Sequence, residues 1–275
     1  MENVPETVLR SVGSGEQVAK GRRRGDVVLR PSGPWSRSVI ALLRHLEAVG
    51  FTAAPPVVGT GFAEDGRETL GYVVGESPQP RPWSDEAVHD IGVLLRRLHD
   101  ATASFTPPAD ARWQLFFGRQ LPGSEPVISH NDLGPWNIIA QEGRPVAFVD
   151  WEFAGPVDAR WDLAHTAWLN AQLHDDDVAE MNGLGTAADR ARQLRQILDG
   201  FGLPLVSRVG FVDTMVEFAV HCARAEAVRA GVTLTSPAVD ATGFPVLWAV
   251  TWMIRSASWM LRHRALLDAA ITASG

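Results

Sequence analysis

Cysteine and lysine are nearly absent from this sequence of 275 residues, which contains only Cys222 and Lys20. A single thiol can form neither an intramolecular disulfide nor a cysteine-based metal site. The longest apolar stretch, residues 244–254, is too short to span a bilayer, and Arg255 ends it. The N-terminal residues have neither the basic start nor the apolar stretch of a signal peptide. We therefore expect a cytoplasmic protein that makes no contact with a membrane.

The sequence also has no excess of basic residues. It contains 25 lysines and arginines and 32 aspartates and glutamates, so the formal net charge is -7. Proteins that bind the phosphate backbone of nucleic acids carry a basic surface, so this class is disfavoured. The ten tryptophans and eleven phenylalanines suffice for the core of one large domain or of two closely packed ones. No obligatory protein partner is inferred from the composition.

Turn and helix signals predict a small strand-rich unit at the start of the chain. Residues 16–20 and 26–30 are expected to be strands joined by a turn at residues 21–25. An apolar stripe at helical spacing begins near Trp35, and Gly50 stops the helix. A hairpin then returns the chain towards a proline-rich segment.

The clearest linker is the segment 75–82, which contains three prolines and one glycine. Neither a helix nor a central strand continues through such a segment. Beyond it Ser84 is expected to cap a helix, and the pattern stays helical except for a strand-rich island at residues 127–150. The predicted units are therefore residues 1–74, a hinge at 75–82 and residues 83–275.

The island at residues 127–150 carries the polar residues that indicate chemistry. Two apolar strands joined by a tight turn bring Asn137 and Asp150 close together, and Asp132 lies at the start of the loop before them. Phosphoryl transfer needs a carboxylate that orients or deprotonates a hydroxyl, and oxygen ligands that hold Mg²⁺ on the phosphates. We assign the first role to Asp132 and the second to Asn137 and Asp150. His130 is expected to support the loop without taking a proton itself.

These residues also carry a resemblance to a known family. The motif consists of His130, Asn131, Asp132 and Asn137, followed by Asp150, Trp151 and Glu152. It resembles the catalytic and metal motifs of the aminoglycoside phosphotransferase and choline kinase superfamily, which is related to the protein kinases. The resemblance implies a two-lobed, protein-kinase-like α+β fold with a small β-rich N-lobe and a larger, mostly helical C-lobe. It also implies a small-molecule kinase that uses ATP or GTP and Mg²⁺, with Asp132 and His130 as its catalytic residues.

The sequence departs from that family at several positions. Most aminoglycoside-type members have glycine where Asn131 stands. The family places a cation, usually lysine, on the third strand to hold the phosphates, and here that position falls on Arg30, with Lys20 as a second candidate. The helix that begins near Trp35 has no acid at the place where the family pairs one with this cation. A possible phosphate-covering turn at residues 13–15 is only a weak signal.

Further site residues follow from the resemblance. The hinge residues Gly75 and Glu76 are assigned to nucleotide binding, and Asp162 is expected to anchor the backbone of the catalytic loop. Glu152 and Trp136 are candidates for binding the acceptor, because an acidic or aromatic lining suits an amine or a quaternary ammonium group. The three aspartates at residues 175–177 are either part of this lining or a solvated helix start.

Two functions remain open from the sequence. The first is an O-phosphotransferase that phosphorylates a small hydroxylated molecule, such as an aminoglycoside-like antibiotic or an amino alcohol. The alternative is a degenerate kinase fold that binds a ligand or a peptide toxin, as an immunity protein does, with little or no catalysis. Arginine at position 30 and the missing helix acid favour the alternative, whereas the complete set of Asp132, Asn137 and Asp150 favours the enzyme.

Overall fold

A computed structural model describes residues 6–10, 19–239 and 243–273, so most of the predicted strand at 16–20 lies outside the described residues. The first elements are β1 (Thr7–Arg10), β2 (Ala19–Arg24), β3 (Val27–Arg30), α1 (Ser36–Ala48), β4 (Val57–Phe62) and β5 (Glu68–Gly71). The strands form one antiparallel sheet in the order β1-β2-β3-β5-β4. Because β5 lies between β3 and β4, β3 pairs with β5.

The structure corrects the predicted turn at residues 21–25. Strand β2 continues through Arg24, and the chain turns only at Gly25 and the residue after it. Gly25 has a left-handed φ of 61°, which glycine adopts without a steric penalty. The side chains of the arginine-rich segment have partners next to the sheet. The guanidinium of Arg23 lies 3.7 Å from the centroid of the Tyr72 ring, and Arg24 pairs with Glu6.

Helix α1 packs one apolar face against the sheet, as the sequence predicts. Leu42 and Leu46 are fully buried on this face, and Leu43 is 2% exposed. Burying one leucine side chain contributes about 2 kcal/mol, so three of them hold the helix firmly in place. The helix ends just before Gly50, whose φ of 79° is left-handed.

After the hinge the described chain is mainly helical and contains two small sheets. The strands are β6 (Pro126–Ser129), β7 (Ile138–Gln141), β8 (Arg144–Phe148) and β9 (Gly155–Asp158). The helices are α2 (Asp85–Thr102), α3 (Ala159–Asn170), α4 (Asp176–Met181), α5 (Ala187–Phe201), α6 (Leu205–Arg208), α7 (Phe211–Arg229), α8 (Val246–Arg262) and α9 (Arg264–Thr272). Strand β6 pairs with β9 and β7 pairs with β8, so the predicted island at residues 127–150 is confirmed and is extended by β9. Within the described residues, no helix is long and apolar enough to cross a bilayer.

Helix α2 is placed by its cap and by a close contact with α5. Ser84 accepts a hydrogen bond from the Ala87 N–H group and caps the helix, as predicted. A Cβ atom at Gly92 would lie 2.2 Å from the carbonyl oxygen of Ile197, so only glycine allows the two helices to approach this closely. Near the C-terminal end of α2, His99 contacts Asp162 on α3. The predicted α+β architecture, with a small sheet followed by a larger helical part, is confirmed.

Candidate active site

The loop between β6 and β7 brings Asp132 and Asn137 into contact. The Nδ2 atom of Asn137 donates hydrogen bonds to the backbone oxygen and to the Oδ2 atom of Asp132, each at 2.8 Å. The backbone oxygen of Asn137 accepts a hydrogen bond of 2.9 Å from the Val149 N–H group. Because Val149 immediately precedes Asp150, the three polar residues predicted from the sequence lie together at one end of the β7–β8 pair.

Two residues of this site adopt the left-handed backbone conformation. Asn131 has a φ of 70° and Asp150 a φ of 67°. Glycine adopts this conformation freely, and asparagine and aspartate tolerate it better than other residues with a Cβ atom. The backbone at position 131 therefore explains why asparagine can replace a glycine there. The side chain of Asn131 also donates hydrogen bonds to the carbonyl oxygens of Phe153 and Gly155, at 2.8 and 3.2 Å.

His130 is fully buried beneath the loop. Its Nε2 atom lies 2.8 Å from the carbonyl oxygen of Val149, and its Nδ1 atom accepts a hydrogen bond of 3.2 Å from the Asp132 N–H group. Burial lowers the pKa of His130 to about 4, so the ring is neutral at physiological pH. Both ring nitrogens are used to hold the backbone, an arrangement that suits the supporting role expected for this residue.

Asp162 makes no hydrogen bond to the backbone of the loop, contrary to the expectation from the sequence. The carboxylate of Asp162 is buried on α3 and contacts the Nε2 atom of His99 at 2.7 Å. The backbone of the loop is instead held by His165, whose Nδ1 atom lies 3.0 Å from the carbonyl oxygen of Asn131. Burial lowers the pKa of His165 to about 4, so this neutral ring donates to the carbonyl. His165 is one helical turn beyond Asp162, and only the orientation of α3 decides which of the two faces the loop.

Arg30 extends from the end of β3 to the polar cluster. Its guanidinium forms an ion pair with Asp150 and lies 3.9 Å from the Oε2 atom of Glu152. Burial by itself lowers the pKa of Arg30, but the negative charges of Asp150, Glu68 and Glu152 outweigh this effect, so the pKa is raised. Glu152, which is an acceptor-binding candidate in the sequence, therefore lies on the side of the site that contains Arg30.

Glu68 is a site residue that the sequence did not indicate. It stands directly opposite Arg30 in the pairing of β3 with β5 and is only 6% exposed. Burial raises the pKa of its carboxyl group, while a hydrogen bond with Ser36 and the charge of Arg30 lower it in part. Glu68 could have been identified as the acidic residue opposite Arg30 on the neighbouring strand. That inference requires the order of the strands in the sheet, which the sequence alone does not provide.

The other predicted nucleotide contacts are Lys20, the turn at residues 13–15 and the hinge residues Gly75 and Glu76. The side chain of Lys20 and residues 13–15 lie outside the described part of the structure. The hinge packs tightly on β7, because a Cβ atom at Gly75 would lie 2.5 Å from the carbonyl oxygen of Ala140. The N–H group of Glu76 donates to the Ala140 oxygen, and the Glu76 oxygen accepts from the Ala140 N–H group. This pairing uses the backbone groups of Glu76, so its exposed side chain and Gly75 are the hinge candidates.

The remaining acceptor candidates have structural contacts. Trp136 is half-buried, and a Cβ atom at Gly134 would lie 2.3 Å from its ring, so the indole covers the backbone of the loop. Asp175 and Asp177 form ion pairs with Arg255 on α8. The neighbouring Asp176 accepts a hydrogen bond from the indole of Trp259. The aspartates at residues 175–177 therefore join α4 to α8, as a helix start would, and do not line the cluster around Asp132.

Comparison with known proteins identifies the family. Residues 109–198, which include Asp132, Asn137 and Asp150, match the Phosphotransferase enzyme family. Over 249 residues the chain is 55% identical to the trifolitoxin immunity protein of Rhizobium leguminosarum bv. trifolii, and this covers 90% of the chain and 94% of that protein. The chain belongs to the phosphotransferase enzyme family. The resemblance stated from the motif is thereby confirmed.

Solved structures show that this phosphotransferase-family chain has a kinase-like fold. It is similar to a choline/ethanolamine kinase family protein from Mesorhizobium loti, with a TM-score of 0.60, 15% identity and coverage of 98% of this chain and 94% of that one. It is also similar to the wild-type aminoglycoside 2'-phosphotransferase-IIIa in its GDP complex, with a TM-score of 0.55, 13% identity and coverage of 93% and 94%. At these identities the likeness concerns the fold alone.

Proposed function

We propose that this chain transfers the γ-phosphoryl group of ATP or GTP to a hydroxyl group of a small molecule. The observation that carries the proposal is the joint position of Asp132, Asn137 and Asp150. The oxygen of the acceptor forms the new bond to phosphorus, and the bond between phosphorus and the β–γ bridging oxygen breaks. Asp132 accepts or orients the proton of the acceptor hydroxyl, and the nucleoside diphosphate leaves with the bridging oxygen.

The residues of the cluster fit a magnesium ion. Mg²⁺ prefers oxygen ligands and is usually held by one or two carboxylates together with phosphates and water. Asp150 offers a carboxylate, and Asn137 offers its Oδ1 atom because its Nδ2 atom donates to Asp132. Within the described residues, no group of three or more histidines, cysteines and acids is placed to hold a metal ion. The ion would neutralise charge on the phosphates.

The nucleotide phosphates are assigned to the side of the polar cluster where Arg30 meets Asp150. Arg30 is the described cation closest to Asp150, and guanidinium groups bind phosphate oxygens bidentately. The GDP complex of the similar aminoglycoside 2'-phosphotransferase-IIIa supports a nucleotide donor for this chain as well. Lys20 stays a second candidate for the phosphates, and the hinge residues Gly75 and Glu76 are candidates for the base.

The acceptor is proposed to be a small hydroxylated molecule that also carries an amine, either an amino alcohol or an aminoglycoside-like antibiotic. The names of the structurally similar kinases support this class. The surplus of 32 acidic over 25 basic residues suits a cationic acceptor, although the effect of net charge is weak. Glu152 and Trp136 remain the residues proposed to contact it.

The test begins with ATP binding measured by calorimetry, with and without Mg²⁺, on the wild type and on Asp150→Ala. We expect metal-dependent binding that the substitution abolishes. Asp132→Asn should bind nucleotide as the wild type does but should lose turnover of an acceptor by about 10²- to 10⁴-fold, the usual contribution of a positioned acid or base. Wild-type turnover by Asp132→Asn would show that Asp132 does not have the proposed role.

A second candidate function is ligand binding without turnover. It is favoured by the ion pair between Arg30 and Asp150, which uses a proposed metal ligand, and by the name of the similar trifolitoxin immunity protein. This candidate predicts no nucleoside diphosphate release with any acceptor and no effect of Asp132→Asn on the protection of cells against a toxin. Mg²⁺-dependent phosphorylation of an acceptor by the purified protein would exclude it.

A further inference from the structure

Arg30 and Glu68 form a cross-strand pair of opposite charge. They are directly opposite each other in the register of β3 and β5. Side chains at such positions project from the same face of the sheet, with Cβ atoms about 5 Å apart. The Glu68 carboxyl group is buried beside Ser36, at the start of α1. A carboxylate is therefore within reach of the Arg30 side chain, close to the ion pair that Arg30 makes with Asp150.

Three carboxylates surround the guanidinium of Arg30. It pairs with Asp150 and lies 3.9 Å from Glu152, while Glu68 acts on it from the neighbouring strand. A magnesium ion on Asp150 would use the carboxylate that Arg30 now contacts, and two cations in a poorly solvated place repel each other strongly. Arg30 therefore needs a different carboxylate whenever a metal ion binds Asp150.

The helix does not supply that carboxylate. The first turn of α1 contains no acidic residue, and Glu47 near its C-terminal end is exposed to solvent. Glu68 is on the neighbouring strand and is buried beside the start of the same helix. Strand β5 therefore supplies a carboxylate near Arg30, which α1 does not.

We propose that Glu68 is the positioning residue for Arg30 and that it receives the guanidinium when Asp150 exchanges Arg30 for a magnesium ion. This inference rests on the proposed phosphotransfer function, because it concerns the same metal-binding carboxylate. Arg30 and Mg²⁺ compete for Asp150, and Glu68 sets the outcome by giving Arg30 a second partner. Without Glu68 the guanidinium stays on Asp150 and the apparent affinity for Mg²⁺ falls.

The first test needs neither nucleotide nor metal. Urea unfolding is measured for the wild type, Arg30→Met, Glu68→Gln and the double variant. Arg30→Met removes the cation beside the two buried carboxylates, Asp150 and Glu68, so its effect on the unfolding equilibrium constant should be about tenfold smaller when Glu68 has been neutralised. Additive effects of the two substitutions would overturn the pairing. Glu64→Gln, an exposed glutamate in the preceding turn, is the matched control and should show no coupling to Arg30.

The second test measures the Mg²⁺ concentration that gives half-maximal ATP binding by calorimetry. Glu68→Gln should raise it about tenfold, a change equal to about 1.4 kcal/mol, while Glu64→Gln leaves it unchanged. Glu68→Asp keeps the charge and should restore most of the wild-type value, which a role in folding alone would not predict. An unchanged Mg²⁺ requirement in Glu68→Gln would overturn the inference and leave the phosphotransfer function intact. A wild type that binds no nucleotide would instead refute the proposed function, and the unfolding cycle would still decide the pairing.

Discussion

Acid should unfold this protein at a pH where most of its carboxylates are still ionised, because three buried histidines are neutral in the folded chain. Burial lowers the pKa of His130 and His165 to about 4 each and that of His174 to about 3. In the unfolded chain a histidine has a pKa of about 6.5. The unfolded state therefore binds more protons between pH 6.5 and pH 4, and stability falls as the pH is lowered through this range.

The magnitude follows from the difference in proton binding. A pH of 5 lies about 1.5 units below the pKa of an unfolded histidine and above the pKa that each of these histidines has in the folded chain. Each histidine therefore reduces the free energy of unfolding at pH 5 by about 2 kcal/mol. Three such residues together reduce it by about 6 kcal/mol, a large part of the 5–15 kcal/mol that is typical of folded proteins. Glu68 acts in the opposite direction, because its raised pKa favours proton uptake by the folded chain.

The assay is urea unfolding at pH 7.5 and at pH 5.0, followed by circular dichroism. His174→Gln isolates one contribution, because His174 lies away from the catalytic loop and its ring is 5.0 Å from that of Trp252. The difference in stability between the two pH values should shrink by about 2 kcal/mol in this variant. His221→Gln, at a half-exposed position on α7, should behave as the wild type. Equal pH dependence in His174→Gln and the wild type would refute the reasoning.

Substitutions at three other positions test single contributions to stability. Asn131→Gly keeps the left-handed backbone and loses two hydrogen bonds, so urea unfolding should show a loss of about 1–3 kcal/mol, and Asn131→Ala should lose about 1–2 kcal/mol more because of its Cβ atom. Asp162→Ala leaves His99 buried without its partner and should cost about 3–5 kcal/mol in the same assay; a loss below 1 kcal/mol would contradict the buried pair. Thr186→Ala removes the capping box of α5 and should lower stability by about 1 kcal/mol while ATP binding stays unchanged in calorimetry.

Features that depend on neighbouring residues could be predicted from the sequence. Ser84 caps α2 through a contact three residues away, and Gly50 follows the end of α1 in a left-handed conformation. The contact between Asp132 and Asn137 spans only five residues, so the loop motif already specifies it. Both apolar strands of the β7–β8 pair and their turn are also local, which is why Asn137 and Asp150 were expected to lie together.

Predictions failed where the answer depends on partners far away in the chain. The arginines at residues 22–24 were predicted to form a turn, but they continue strand β2, where Arg23 packs on Tyr72 and Arg24 pairs with Glu6. Asp162 was expected to hold the catalytic loop, yet the orientation of α3 turns it towards His99 and brings His165 to the loop instead.

The sequence by itself indicated the order of a small strand-rich part, a hinge and a larger helical part, together with the residues of the loop, because turn residues, hydrophobic periodicity and short spacings act over a few positions of the chain. The kinase-like fold was implied by the resemblance of the loop motif to a known family. Tertiary structure alone decided the electrostatics of the site. Strand β5 lies between β3 and β4, and this order puts Glu68 opposite Arg30 across 38 positions of sequence. The ion pair of Arg30 with Asp150 spans 120 positions. Charges interact through space, so their partners are set by the packing of sheet and loop and not by their distance along the chain.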